Sequence, residues 1–235
     1  MAKLLRRAQF FILVGEPQVG FGLTMKTALI LVDLQNDFMP NGALAVPEGD
    51  SVIPLANALQ ACFDTVMVTQ DWHPKNHISF ADNHPGKTVG DVIDLPDMKQ
   101  VLWPSHCVQN TEGAQLVKTL QLEEKAEIIT KGSDPNLDSY SGFFDNKYKK
   151  STNLLIRLNH YQVDTVYIMG LALDYCVKYT VLDACWLGFT TFLIEDGCRG
   201  VNLAPRDSVR AVEAMKAAGA TVVQSREVLS RFCVT

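Results

Sequence analysis

Three reactive side chains stand where apolar runs end. Asp33 closes the run 28–32, Lys131 follows 127–130, and Cys176 lies just beyond 166–170. In open parallel α/β sheets, the carboxyl ends of the strands form the crevice where ligands bind. An acid, an amine and a thiol converging there are the parts of a thiolate nucleophile and its proton shuttle. A helix starting near Tyr175, with Lys131 close by, predicts a lowered thiol pKa for Cys176.

A second constellation sits between residues 71 and 110, which hold four of the five histidines. Asp71 and His73 can reach one cation if the backbone turns at the strand end. His73 and His77 have the spacing of a helical ligand pair, but Pro74 disfavours a helix carrying both. His106 is therefore the expected third ligand. Two imidazoles and a carboxylate suit one divalent metal ion, zinc first, with iron or manganese as alternatives. The competing reading is a polar surface loop with incidental histidines.

The elements that must hold these groups follow from hydrophobic patterning. Continuous apolar runs at 28–32, 65–69, 127–130, 165–170, 190–194 and 220–223 predict parallel strands covered on both faces. Between them, Val52, Leu55, Ala56, Leu59 and Phe63 recur at helical spacing behind Asp50-Ser51. Leu154, Leu155, Leu158 and Tyr161 do so behind Ser151-Thr152. A third helix, capped by Asp174 and ended by Gly188, carries Val177, Val181, Ala184 and Cys185; Val209, Val212 and Met215 mark a fourth, ended by Gly219. The pattern is an α/β, doubly wound, mainly parallel six-stranded sheet with helices on both faces. Two long connections, 71–110 and 132–150, break the rhythm, and long loops in compact domains are usually functional.

The remaining features exclude other classes. The chain of 235 residues carries a net charge of −5, which argues against nucleic acid or an anionic membrane as the main partner. Its six cysteines show no C-x-x-C pair, so reduced cysteines in a cytoplasmic protein are expected, with Cys62, Cys185 and Cys198 as core fillers. Residues 1–24 read as a poorly ordered extension from an upstream start codon, ahead of a domain spanning 25–235. Their apolar stretch is too short to span a membrane, and Glu16-Pro17 interrupts the approach to any cleavage site. Homo-oligomerisation is left open.

Five motifs in register then become specific: Val32-Asp33-Leu34-Gln35-Asn36-Asp37-Phe38, Asp71-Trp72-His73, Trp103-Pro104-Ser105-His106-Cys107, Lys131-Gly132, and Gly170-Leu171-Ala172-Leu173-Asp174-Tyr175-Cys176. Together they resemble the nicotinamidase/pyrazinamidase family of isochorismatase-like cysteine hydrolases, from about Thr27 to Phe232. The resemblance implies the corresponding fold and a catalytic triad of Asp33, Lys131 and Cys176. It implies a divalent metal on Asp71, His73 and His106, and a cis peptide at Leu171–Ala172 that turns the Ala172 and Cys176 amides toward an oxyanion. It also implies a substrate wall of Phe38, Trp103, Tyr140 and Ala172, with nicotinamide as the small-molecule partner. Ser79 stands where some relatives place a further histidine, and Leu173 replaces the family's usual threonine. The implied activity is hydrolysis of nicotinamide, and of pyrazinamide, through a cysteine thioester in NAD salvage. Alternatives are a hydrolase of the same fold acting on an N-carbamoyl or ureide substrate, and a non-catalytic binding protein.

Overall fold

The apolar runs pair as expected in the computed structural model, which describes residues 25–96 and 98–232. Six parallel strands, β1 (Thr27–Val32), β2 (Thr65–Asp71), β5 (Ala126–Lys131), β6 (Thr165–Leu171), β7 (Thr190–Arg199) and β8 (Thr221–Val223), form one sheet in the order β5-β2-β1-β6-β7-β8. β1, β2 and β6 are buried along their whole length, as their unbroken hydrophobicity requires. The remaining strands, β3 (Val92–Leu95) and β4 (Met98–Val101), pair as an antiparallel hairpin inside the first long connection. Their half-exposed residues lack a continuous apolar run, so patterning gave no warning of them.

The helices are α1 (Ile53–Leu59), α2 (Leu154–His160), α3 (Lys178–Leu187), α4 (Asp207–Ala217) and α5 (Ser225–Phe232). From β1 the chain winds outward through α1 to β2; from β6 it winds the opposite way through α3 and α4 to β8. Right-handed crossovers in opposite directions place their helices on opposite faces of the sheet. Accordingly α1 packs with the unforeseen α5, and α3 with α4. The direction reverses between β1 and β6, so the binding crevice opens at their carboxyl ends. Gly170 permits this junction: its φ is +126°, and a Cβ there would lie 2.2 Å from the Val32 carbonyl oxygen.

Several local expectations are corrected. Neither Asp50 nor Ser51 caps α1, because a 3₁₀ turn (Gly49–Val52) leads straight into it and the Ser51 hydroxyl bonds back to the Glu48 carbonyl. Asp174 is no cap either. It lies within a π-helical turn (Leu173–Val177) ahead of α3, and its carboxylate accepts from the amides of Val201 and Asn202. Gly188 and Gly219 do follow α3 and α4 with positive φ. Val209 and Tyr161 turn away from the core and are exposed. Cys62 is disulfide-bonded rather than reduced, while Cys107, Cys176, Cys185 and Cys198 are free. The expected extension 1–24 lies outside the described residues. No helix among those described is long and apolar enough to cross a membrane.

Candidate active site

Four neighbouring strands each deliver one reactive group at their carboxyl ends. Asp33 follows β1, Asp71 and Lys131 end β2 and β5, and Cys176 sits on the turn after β6. Lys131 and Asp71 are paired across the sheet register, which sets their side chains together. The Lys131 ammonium lies 2.9 Å from Asp33 Oδ2, 2.5 Å from Asp71 Oδ1 and 3.4 Å from Cys176 Sγ, and donates to the Ser139 carbonyl. All four side chains are buried.

Asp33 takes a positive φ of 51°, unusual for a residue with a side chain. Thr69 answers for it: the Thr69 hydroxyl donates to Asp33 Oδ1 at 2.6 Å and accepts from the Asp33 amide at 3.2 Å. Burial pushes the Asp33 carboxyl up to about 6, against the opposing pull of Lys131. Burial likewise raises the Cys176 thiol well above its ordinary value, Lys131 offsetting only part of it. The lowered thiol pKa expected from the sequence is thus corrected: desolvation outweighs the cation. For Lys131 the balance reverses, burial lowering its pKa and the two aspartates raising it further. The arrangement at neutral pH is an ammonium, ionised carboxylates and a protonated thiol.

The Leu171–Ala172 peptide is cis. The Ala172 carbonyl accepts from the amides of Tyr175 (3.0 Å) and Val177 (3.1 Å), and neither bond uses the amide of Cys176 between them. A π turn therefore does here what an α turn would not, since an α turn would pair that carbonyl with Cys176 itself.

Beside the thiol, one ligand atom from each of Asp71, His73 and His106 lies within 4.8 Å of the others. His73 Nδ1 bonds the Gly132 carbonyl (2.7 Å) and His106 Nδ1 the Pro104 carbonyl (2.8 Å), leaving both Nε2 atoms for the cluster. Backbone carbonyls that fix the tautomer of a histidine in this way are typical supports of metal ligands. Burial lowers His106 to about 4, so it is a neutral donor; at His73 burial also lowers the pKa, but Asp71 more than reverses it. Gly132 is required here, because its φ is +66° and a Cβ would lie 2.4 Å from the His73 ring.

His77, which Pro74 seemed to remove, lies beside His73 without sharing a helix, in a neighbouring group rather than in that of Asp71 and His106. Its ring centroid is 4.2 Å from that of His73, and one ligand atom of each groups with Asp138. Ser79 does not ligate but bonds His77 Nδ1 at 2.7 Å, and His77 Nε2 is a buried atom with no partner. An orphaned buried nitrogen beside a cluster of candidate ligands is compatible with a cation nearby.

A narrow cavity opens above these groups, lined by Phe38, Trp103, Tyr140, Ala172 and Cys176 together with Asp71, His73 and His106. Sequence reasoning missed Leu44, Asp138, Tyr175 and Val201 on the same wall. It also missed two supports. Gln35 clamps Asp71 by bonding both its backbone N–H and C=O. Asp37 accepts from the Cys107 amide at 2.7 Å, tying the turn of Phe38 to the His106 loop. Both residues stand in the Val32–Phe38 motif, but only the folded chain shows what they touch.

The chain matches the isochorismatase domain model over residues 27–227. It is 52% identical over 201 residues to a nicotinamidase of Escherichia coli (strain K12), covering 83% of this chain and 93% of that protein. The structure of an Acinetobacter baumanii nicotinamidase/pyrazinamidase superposes with TM-score 0.84 at 44% identity, over 88% of this chain and 100% of that one. A Pyrococcus horikoshii pyrazinamidase, solved in complex with zinc, gives TM-score 0.70 at 42% identity, over 85% and 99%. The chain belongs to the isochorismatase domain family.

Proposed function

We propose that this chain is an amidohydrolase that converts nicotinamide to nicotinate and ammonia, and pyrazinamide to pyrazinoate, in NAD salvage. The observation that carries the reading is Lys131 bridging Asp33, Asp71 and Cys176 beneath an aromatic pocket. Nicotinamidases 52% and 47% identical to this chain favour a carboxamide over an N-carbamoyl substrate.

The roles follow from position and charge. Asp33, ionised above about pH 6, takes the thiol proton as Cys176 Sγ attacks the carboxamide carbon. Lys131 stabilises the thiolate that forms, offsetting the burial that keeps the resting thiol protonated. The amides of Ala172 and Cys176 hold the tetrahedral oxyanion, a contribution of about 3 kcal/mol per donor in well-aligned sites. Asp33 then passes its proton to the leaving nitrogen, the C–N bond breaks, and ammonia departs from a thioester. A water, deprotonated by Asp33, adds to the thioester carbonyl; the C–S bond breaks and the proton returns to Cys176.

Phe38, Trp103 and Tyr140 hold the flat ring so that its carboxamide lies over Cys176. Asp71, His73 and His106 would hold a divalent cation, zinc by preference for its nitrogen donors, with His77 adjacent. When bound, it supplies a Lewis-acidic anchor for a ring nitrogen of the substrate. Ammonia release from nicotinamide, compared in wild-type and Cys176→Ala protein of measured metal content, tests the reading. Release that persists in Cys176→Ala refutes the covalent mechanism.

A further inference from the structure

The reaction turns a neutral amide into an anion, inside a protein whose net charge is −5. Beyond the pocket's tyrosine wall lies a second, larger cavity, open to solvent, between the β3–β4 hairpin and α4. Tyr140 and Tyr175 line both cavities, so the two share a wall.

That wall is a continuous set of rings. Tyr175 meets Trp103 and Tyr140 edge-on at 4.8 and 5.4 Å, and Tyr179 stacks on Tyr140 at 5.4 Å. On its outer side sits the Lys178 ammonium, 4.6 Å from the Tyr179 ring centroid and 5.6 Å from that of Tyr175. The other cations of this cavity are committed: Lys99 to Asp94 and Arg210 to Asp207. Lys178, half-buried, has no ion-pair partner among the described residues. Burial lowers its pKa, while Asp174 and Asp207 act against that loss. The carboxylates of this cavity are occupied too, Asp174 by the Val201 and Asn202 amides and Asp207 by Arg210. A half-buried ammonium resting on aromatic faces is thus equipped to receive a planar aromatic carboxylate, with the ring on tyrosine and the carboxylate on the amine.

We propose that this cavity is a product subsite, in which Lys178 captures the aromatic carboxylate anion as it leaves the catalytic pocket. The proposal rests on the nicotinamide reading above. Lys178 lines this second cavity and not the catalytic pocket, and it discriminates product from substrate by charge.

Lys178→Gln keeps the polar stem and removes the charge. Inhibition of ammonia release by nicotinate should weaken about fivefold, the scale of one half-buried, partly screened charged contact. The KM for nicotinamide should change less than twofold, and Lys178→Arg should restore nicotinate inhibition. Unchanged inhibition by nicotinate would overturn the proposal, because the anion would then bind only in the catalytic pocket. A parallel rise in the nicotinamide KM would overturn it too, since Lys178 would then merely support the wall. Calorimetric titration of nicotinate into wild-type and Lys178→Gln protein separates the two readings. If nicotinamide releases no ammonia, the enzymatic assignment fails, whereas equal nicotinate affinities defeat the subsite.

Discussion

Thr69→Val tests Asp33 as the proton acceptor. The substitution is nearly isosteric and deletes the 2.6 Å hydrogen bond from the Thr69 hydroxyl to Asp33 Oδ1; the Asp33 amide loses its 3.2 Å bond to the hydroxyl but keeps the one to the Thr69 carbonyl. That bond stabilises the ionised carboxylate, so losing it raises the Asp33 pKa, which burial already holds at about 6. A hydrogen bond to a charged group is worth about 1.5–3 kcal/mol, and one pKa unit corresponds to about 1.4 kcal/mol. After local relaxation, a rise of about one unit is expected. The base works only when ionised, so kcat/KM falls as pH drops through this pKa. In wild type about half of Asp33 is ionised at pH 6; in Thr69→Val about a tenth is. The expected loss is therefore about fivefold at pH 6 and negligible near pH 8.5, where both forms are ionised. Ammonia release measured from pH 5 to 9 reads this directly. An acid limb that stays in place while the enzyme remains active would refute Asp33 as the titrating base.

Other expectations follow from the same geometry. Cys176→Ala should abolish turnover yet leave the melting temperature within a few degrees, because it exchanges one small buried side chain for another and leaves little empty volume. Bound aromatic ligand should protect Cys176 from iodoacetamide but not the half-buried Cys185, and equal protection of both by mass spectrometry would contradict the pocket assignment. His73→Ala and His106→Ala should lose most bound metal, whereas His77→Ala should keep most of it, as elemental analysis can show; the reverse order would replace His106 as third ligand. Benzamide retains the ring and the carboxamide without the ring nitrogen. It should react about a hundredfold more slowly than nicotinamide if anchoring sets the reacting carbon to within about 1 Å, and comparable rates would remove anchoring from the mechanism.

The sequence by itself determined the sheet and the ends of its strands. Six apolar runs are long, β-branched and unbroken because both faces of a central parallel strand must be dry, and a polar residue after such a run has one place to be. Asp33, Asp71, Lys131 and Cys176 were legible for that reason, and the five motifs at 32–38, 71–73, 103–107, 131–132 and 170–176 carried the family resemblance. Tertiary structure alone decided what burial does to these groups. Cys176 reads as an activated thiol when only its charged neighbour is considered, but desolvation exceeds that attraction once strands and aromatic rings enclose it. His77 is separated from a shared helix by Pro74, yet a loop folded over Phe80 returns its ring to His73. Asp174 has the spacing of a helix cap, but a π turn places it elsewhere, bonded to the amides of Val201 and Asn202. Gln35 beneath Asp71 and Asp37 on the Cys107 amide depend on contacts between residues far apart in the chain. Local periodicity records which face of an element is dry; it does not record which distant side chain arrives to meet it.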